Sequence, residues 1–218
     1  MTDNRLSGVA LIAGSVGSII TMSLHPSGQI APAQMEAMIR TLISVHALAL
    51  AMVPVLFLGA WGLSRRGARA DRMDTAGLVL YTFGLLAVMN AAVADGLVTP
   101  NILRQMVASA GAPAAIEGWR MMSRYNFYVN QGYAQVFVAA SSVAIGLWSF
   151  AILRKRDLSQ GLGIYGCVLG AVTLLALFSG HLRLDTHGFG LVMFAQAAWF
   201  IVAGALLWRS QERVADVG

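Results

Sequence analysis

Residues 41–63 read "TLISVHALALAMVPVLFLGAWGL". These 23 residues contain no Asp, Glu, Lys or Arg, and about 20 helical residues suffice to cross the hydrocarbon core of a bilayer. Inside lipid there is no water to bond the backbone N–H and C=O groups, so a run of this length must be helical. One histidine, His46, stands within it. An ionisable side chain at membrane depth is costly and reads first as a functional residue.

Working outward, five further runs of similar character appear, at residues 6–24, 75–98, 128–153, 161–180 and 188–208. Of the 218 residues, 57% are hydrophobic and only 11% charged, against about 25% charged in soluble domains. The mean hydropathy is +0.68. The chain therefore reads as an all-α integral membrane protein with a single domain of six transmembrane helices. The first run is longer than the roughly 7–15 apolar residues of a signal peptide, and it is read as a retained helix. Cys167 is the only cysteine and has no partner for an internal disulfide.

The sequence pI near 10.0 does not point to nucleic acid, because the basic residues are placed by topology. Arg5, Arg65, Arg66, Arg69, Arg72, Arg154, Lys155, Arg156, Arg209 and Arg213 fall on one side of the six runs, and Arg40, Arg104, Arg120, Arg124 and Arg183 on the other. Basic residues in short loops stay cytoplasmic. The expectation is a multi-pass protein of the inner (plasma) membrane with both termini cytoplasmic and the lipid bilayer as its partner.

An internal repeat is also visible. In the odd-numbered helices Gly14, Gly84 and Gly170 each lie eleven residues before an ionisable group, His25, Asp95 and His181, and seven residues after a small one, Ser7, Gly77 and Gly163. Two outer loops match as "APAQMEAM" (residues 31–38) and "APAAIEGW" (residues 112–119). This spacing predicts three repeated helical hairpins around a pseudo-threefold axis. Between the third and fourth spans, residues 99–125 read as an outer-face helical lid or connector. Thr99 is the candidate N-cap there, with Pro100 in the first turn.

All four histidines fall near the outer ends of their helices. The repeat would bring His25, Asp95 and His181 together, with His46 inside the second helix and His187 at the start of the sixth. Two imidazoles and a carboxylate make a ligand set for zinc or iron, and additional imidazoles suit copper. Asn90, Asn130, Gln131 and Gln135 are candidate groups for orienting the ligands, and Asp185 and Glu36 are candidate catalytic carboxylates. Arg183 and Arg124 are alternative ion-pair partners for Asp95. The leading reading is a metal site near the periplasmic face, serving a metal-dependent membrane hydrolase or redox enzyme that acts on a lipid-like or small hydrophobic substrate. Alternatives are a single-haem b-type protein, a small transporter and a non-catalytic membrane subunit. The helix count and outer histidines loosely resemble membrane hydrolases of the ceramidase type, but their seven helices and serine–histidine–aspartate pattern cannot be laid onto this chain, and no family is assigned.

Overall fold

The computed structural model describes residues 4–26, 34–67 and 71–215, with side chains to residue 210. It is all-helical among these residues, and six helices are long and apolar enough to cross a membrane. In chain order the helices are α1 (Asn4–Leu24), α2 (Met35–Ser64), α3 (Arg72–Val93), α4 (Thr99–Ala108), α5 (Pro113–Lys155), α6 (Gln160–Phe178) and α7 (Thr186–Ala215), with a π-helical segment (Ala94–Val98) joining α3 to α4.

The six spanning helices close a ring in the order α2, α1, α7, α6, α5, α3, and α4 packs at one end against α2 and α5. Gly8 and Gly204 let α1 and α7 touch backbone to backbone. A Cβ on Gly8 would come within 2.5 Å of the Gly204 carbonyl oxygen, the close approach that small residues allow in membrane helices. The end of the bundle formed by the loops after α2 and α5 is filled by aromatic rings. Trp148 stacks on Trp199 with centroids 6.1 Å apart, Phe200 packs against both, and Tyr81 packs against Trp148. The Trp148 indole N–H is shared between Ser64 Oγ at 3.0 Å and the Asp74 carbonyl at 3.2 Å.

Just beyond these rings the basic loops meet three aspartates. Asp74 receives Arg66 Nη1 at 2.8 Å and Lys155 Nζ at 2.6 Å, and Arg66 also reaches Asp157 at 3.0 Å. Asp71 pairs with Arg154 and Lys155 and caps α3 by accepting from the Met73 N–H at 2.9 Å. That backbone bond and the two cations hold the Asp71 carboxyl down to about 2. Residues that mark topology in the sequence thus also tie the α2–α3 loop to the α5–α6 loop.

The repeat predicted from glycine spacing is not shown as structural symmetry. Gly14 faces Leu56 of α2, and Gly84 faces Phe137 and Ala140 of α5, each the next spanning helix in the chain. Gly163 and Gly170 instead face Leu153 and the Ser142 carbonyl of the preceding helix α5. The third hairpin is therefore not packed like the first two. The matching loop at residues 31–38 lies partly outside the described residues.

Two segments differ from their sequence reading for clear local reasons. Thr99 is not a cap, because α3 runs through the π-helical segment into α4 without a break. Pro100 has no N–H for the carbonyl four residues back and its ring crowds that carbonyl, which opens the helix there. Residues 113–127 are the first turns of α5 rather than a separate helix. At 43 residues, α5 rises roughly 65 Å, so its exposed beginning projects past the rest of the ring.

Candidate metal centre

The stretch "SGHLRLDTHG" (residues 179–188) joins α6 to α7. Gly180 adopts φ 76°, the left-handed conformation that ends helices and costs glycine little. The N–H of Leu182 then returns to the Ala176 carbonyl at 2.9 Å. This turn leaves His181 exposed, with Nδ1 at 2.9 Å from Ser179 Oγ. Asp185 caps α7, its Oδ1 accepting from the N–H groups of His187 at 3.1 Å and Gly188 at 2.8 Å. The Gly188 bond foremost, with that of His187, lowers the Asp185 pKa. His187 is exposed in the first turn. Most of the polar residues in this stretch therefore start and stop helices. Because the folded-state pKa is lowered, the cap's contribution is complete above the ordinary carboxylate range and is lost as pH falls through the lowered value. Asp185→Asn, which keeps an oxygen acceptor, is expected to flatten the acid limb of a thermal-stability profile.

The other polar cluster lies across the bundle. His25 follows the last turn of α1, His46 is in the fourth turn of α2, and Asp95 is in the π-helical segment. His25 Nε2 lies 3.1 Å and His46 Nε2 3.4 Å from the same oxygen, Oδ2 of Asp95. The rings meet edge-on with centroids 5.2 Å apart. His46 is 7% exposed, and His25 and Asp95 are half-buried.

Each ring's second nitrogen is committed elsewhere. His25 Nδ1 is 3.0 Å from the Pro26 carbonyl and His46 Nδ1 is 2.7 Å from the Leu42 carbonyl. A carbonyl only accepts, so both Nδ1 atoms carry the proton and donate. A neutral imidazole has a single N–H, which leaves both Nε2 lone pairs directed at a carboxylate oxygen. Three acceptors facing one another repel unless a cation lies among them. Nδ1–H bonded to backbone with Nε2 free is also the arrangement that orients histidine ligands on metals. Donors held at about 2.1 Å with angles of 90 to 110° lie roughly 3.0–3.4 Å apart, which matches the two nitrogen–oxygen separations. All three donor atoms fall within 4.8 Å of one another. A proton is the competing cation, and the hydrogen bond to Asp95 raises the His25 pKa.

The backbone around Asp95 is held by Asn126, which the sequence reading did not single out, and by Thr99, which it read only as a helix cap. Asn126 of α5 donates from Nδ2 to the Ala94 carbonyl at 2.9 Å and to Thr99 Oγ1 at 3.0 Å. The Thr99 hydroxyl lies 3.2 Å from the Ala94 carbonyl and 3.3 Å from Asp95 Oδ1, and donates toward them. Such π segments are frequent at functional sites. Gly96 lets α2 approach: a Cβ there would sit 2.2 Å from His46 Cβ and 2.7 Å from its Cγ. Gly96→Ala is expected to displace the His46 ring and reduce metal affinity by about 10–100-fold, the scale of lost ligand support. Metal titration, with circular dichroism confirming an unchanged helix content, measures this.

The structure brings together His25, His46 and Asp95 of the predicted ligands and leaves His181 and His187 outside the group. Glu36 is exposed and pairs with Arg104 at 3.3 Å. Neither Arg183 nor Arg124 pairs with Asp95 among the described residues. Asn90 donates to the Leu86 carbonyl of its own helix, and Gln135 is exposed. Asn130, Gln131 and Asp185 line, with the three ligand candidates, a cavity of about 360 Å³ that runs from them into the bundle. Gln131 also donates to the Leu184 carbonyl at 3.0 Å, pinning the α6–α7 loop to α5. Compared with protein-family models, curated proteins and solved structures, the chain matches none.

Proposed function

We propose that this is a membrane metalloprotein in which His25, His46 and Asp95 hold one divalent transition metal, zinc or iron by the chemistry of the donors, at the mouth of the cavity. The observation that carries this reading is the convergence of two Nε2 atoms on one carboxylate oxygen while both Nδ1 atoms are bonded to backbone carbonyls. Three protein ligands leave coordination positions free for water or substrate, as catalytic sites require. Those positions adjoin the cavity, so the site acts on a lipid-like or small hydrophobic molecule. Asp185 lines the same cavity and is the candidate carboxylate for accepting a proton in the hydrolytic version of this chemistry.

An isolated ion suits the site better than haem. Both Nε2 atoms address the same oxygen and the rings stand edge-on at 5.2 Å, with no slot for a flat macrocycle between them. The placement of basic loops supports an inner-membrane location with this centre on the periplasmic side. Elemental analysis of detergent-purified protein, after reconstitution with zinc or ferrous iron, is expected to find one ion per chain. A Soret band with no other stoichiometric metal would transfer the assignment to haem, and neither signal would end it.

A further inference from the structure

We propose that the ligand of this cavity is an elongated, uncharged chain with a hydrogen-bonding group at its far end, received by Tyr81 and Gln196 on the cavity floor. The inference deepens the metal-centre reading and rests on it only for the ligand's near end.

The cavity is polar at both ends and mostly apolar between them, where the hydroxyls of Ser18 and Thr21 are taken up by carbonyls of their own helix. Its charged or ionisable carboxylate and imidazole groups, His25, His46, Asp95 and Asp185, all lie at the mouth. Between mouth and floor the lining includes Met22, Ala49, Val88, Ala134, Phe137 and Met193, a surface that favours hydrocarbon over charge. At the floor polar groups return. Ser15 is ten residues before His25 and Gln196 ten residues after Thr186, which places this layer about 15 Å along the helices from the mouth.

Tyr81 and Gln196 are each 2% exposed and both line the cavity. Gln196 donates from Nε2 to Ser142 Oγ at 3.2 Å, but its amide oxygen has no donor among the described residues. The Tyr81 hydroxyl has no hydrogen-bond partner there either. Ser15 Oγ is buried and unpartnered, although Ser18 and Thr21 on the same helix bond the carbonyls of Gly14 and Gly17. Unmet polar groups on buried side chains cost about 1–3 kcal/mol each, and these three line the same cavity. Tyr81 supplies a donor and Gln196 an acceptor. A hydroxyl answers both, whereas a methyl terminus answers neither.

The test uses full-length protein in detergent micelles, treated with chelator or loaded with zinc, and two probes: dodecanol and the dodecane diol with a hydroxyl at each end. Native mass spectrometry reads the bound fraction. The diol is expected to bind roughly 3–10-fold more tightly than dodecanol, the scale of one net hydrogen bond. Tyr81→Phe, which preserves the ring packing, and Gln196→Leu are each expected to reduce that preference toward unity. Equal binding of the two probes to the wild type, or a preference retained in both variants, overturns the proposal. A diol preference in protein that binds no zinc supports the floor assignment while removing the metal reading. Zinc binding without any diol preference does the reverse.

Discussion

His46→Ala is expected to lower the affinity for zinc or ferrous iron by more than about 100-fold, since loss of an inner ligand exceeds the roughly 10–100-fold cost of losing a supporting partner. His46 is the most buried ligand candidate, and its ring is fixed by a 2.7 Å bond to the Leu42 carbonyl. No neighbouring imidazole is placed to substitute for it, since His181 and His187 are exposed on the α6–α7 side. Asp95→Asn is expected to match it: the amide keeps the shape but removes the negative charge that offsets the ion. His181→Ala and His187→Ala are expected to leave affinity unchanged. Competition against a chromophoric chelator measures all four variants. Equal tolerance at His46 and His187 would make the interior histidine a packing residue and end the metal assignment.

The second large effect is expected at the opposite end of the bundle. Asp74 is 1% exposed and lies between Arg66 and Lys155, and the Arg66 side chain is itself 3% exposed. Removing one member of a buried ion pair costs about 3–5 kcal/mol, and the lower end of that range applies here because Asp157 still faces Arg66 and Asp71 still faces Lys155. Asp74→Ala is therefore expected to destabilise the protein by that amount, measured by reversible denaturation in detergent followed through tryptophan fluorescence. Trp148 reports the site directly, because its indole N–H also bonds the Asp74 carbonyl. Glu36→Ala breaks an exposed pair with Arg104 and is expected to change stability by less than about 1 kcal/mol. A small effect at Asp74 would show that the network is solvated and marginal.

The six spans were legible in the sequence because lipid imposes one requirement on every residue of a run: uninterrupted apolar side chains around a self-bonded backbone. His46 and Asp95 were legible for a related reason, since each is an ionisable group inside such a run. The histidine at position 181 misled because its equivalence to His25 rested on glycine spacing. A glycine stripe records that something packs closely against a helix, not which helix does so. In α6 the close neighbour is α5 rather than α7. Asn126 and Gly96 were not singled out, and Thr99 was read only as an N-cap, because nothing local marks what they do. Their roles exist only once α5, α2 and the π-helical segment converge. Pro100 was the available signal for that segment, being a proline four residues after the Asp95–Gly96 pair in an otherwise continuous helical pattern.

The chain's own composition and periodicity determined that it is a helical membrane protein with six spans, because those properties follow from residues acting on their immediate solvent. Tertiary structure decided which ionisable side chains meet, how the Nδ1 protons of two of them are committed, and that a cavity lies beneath them. Those outcomes depend on helix neighbours and rotations set by close contacts between distant segments, and a linear pattern does not contain that geometry.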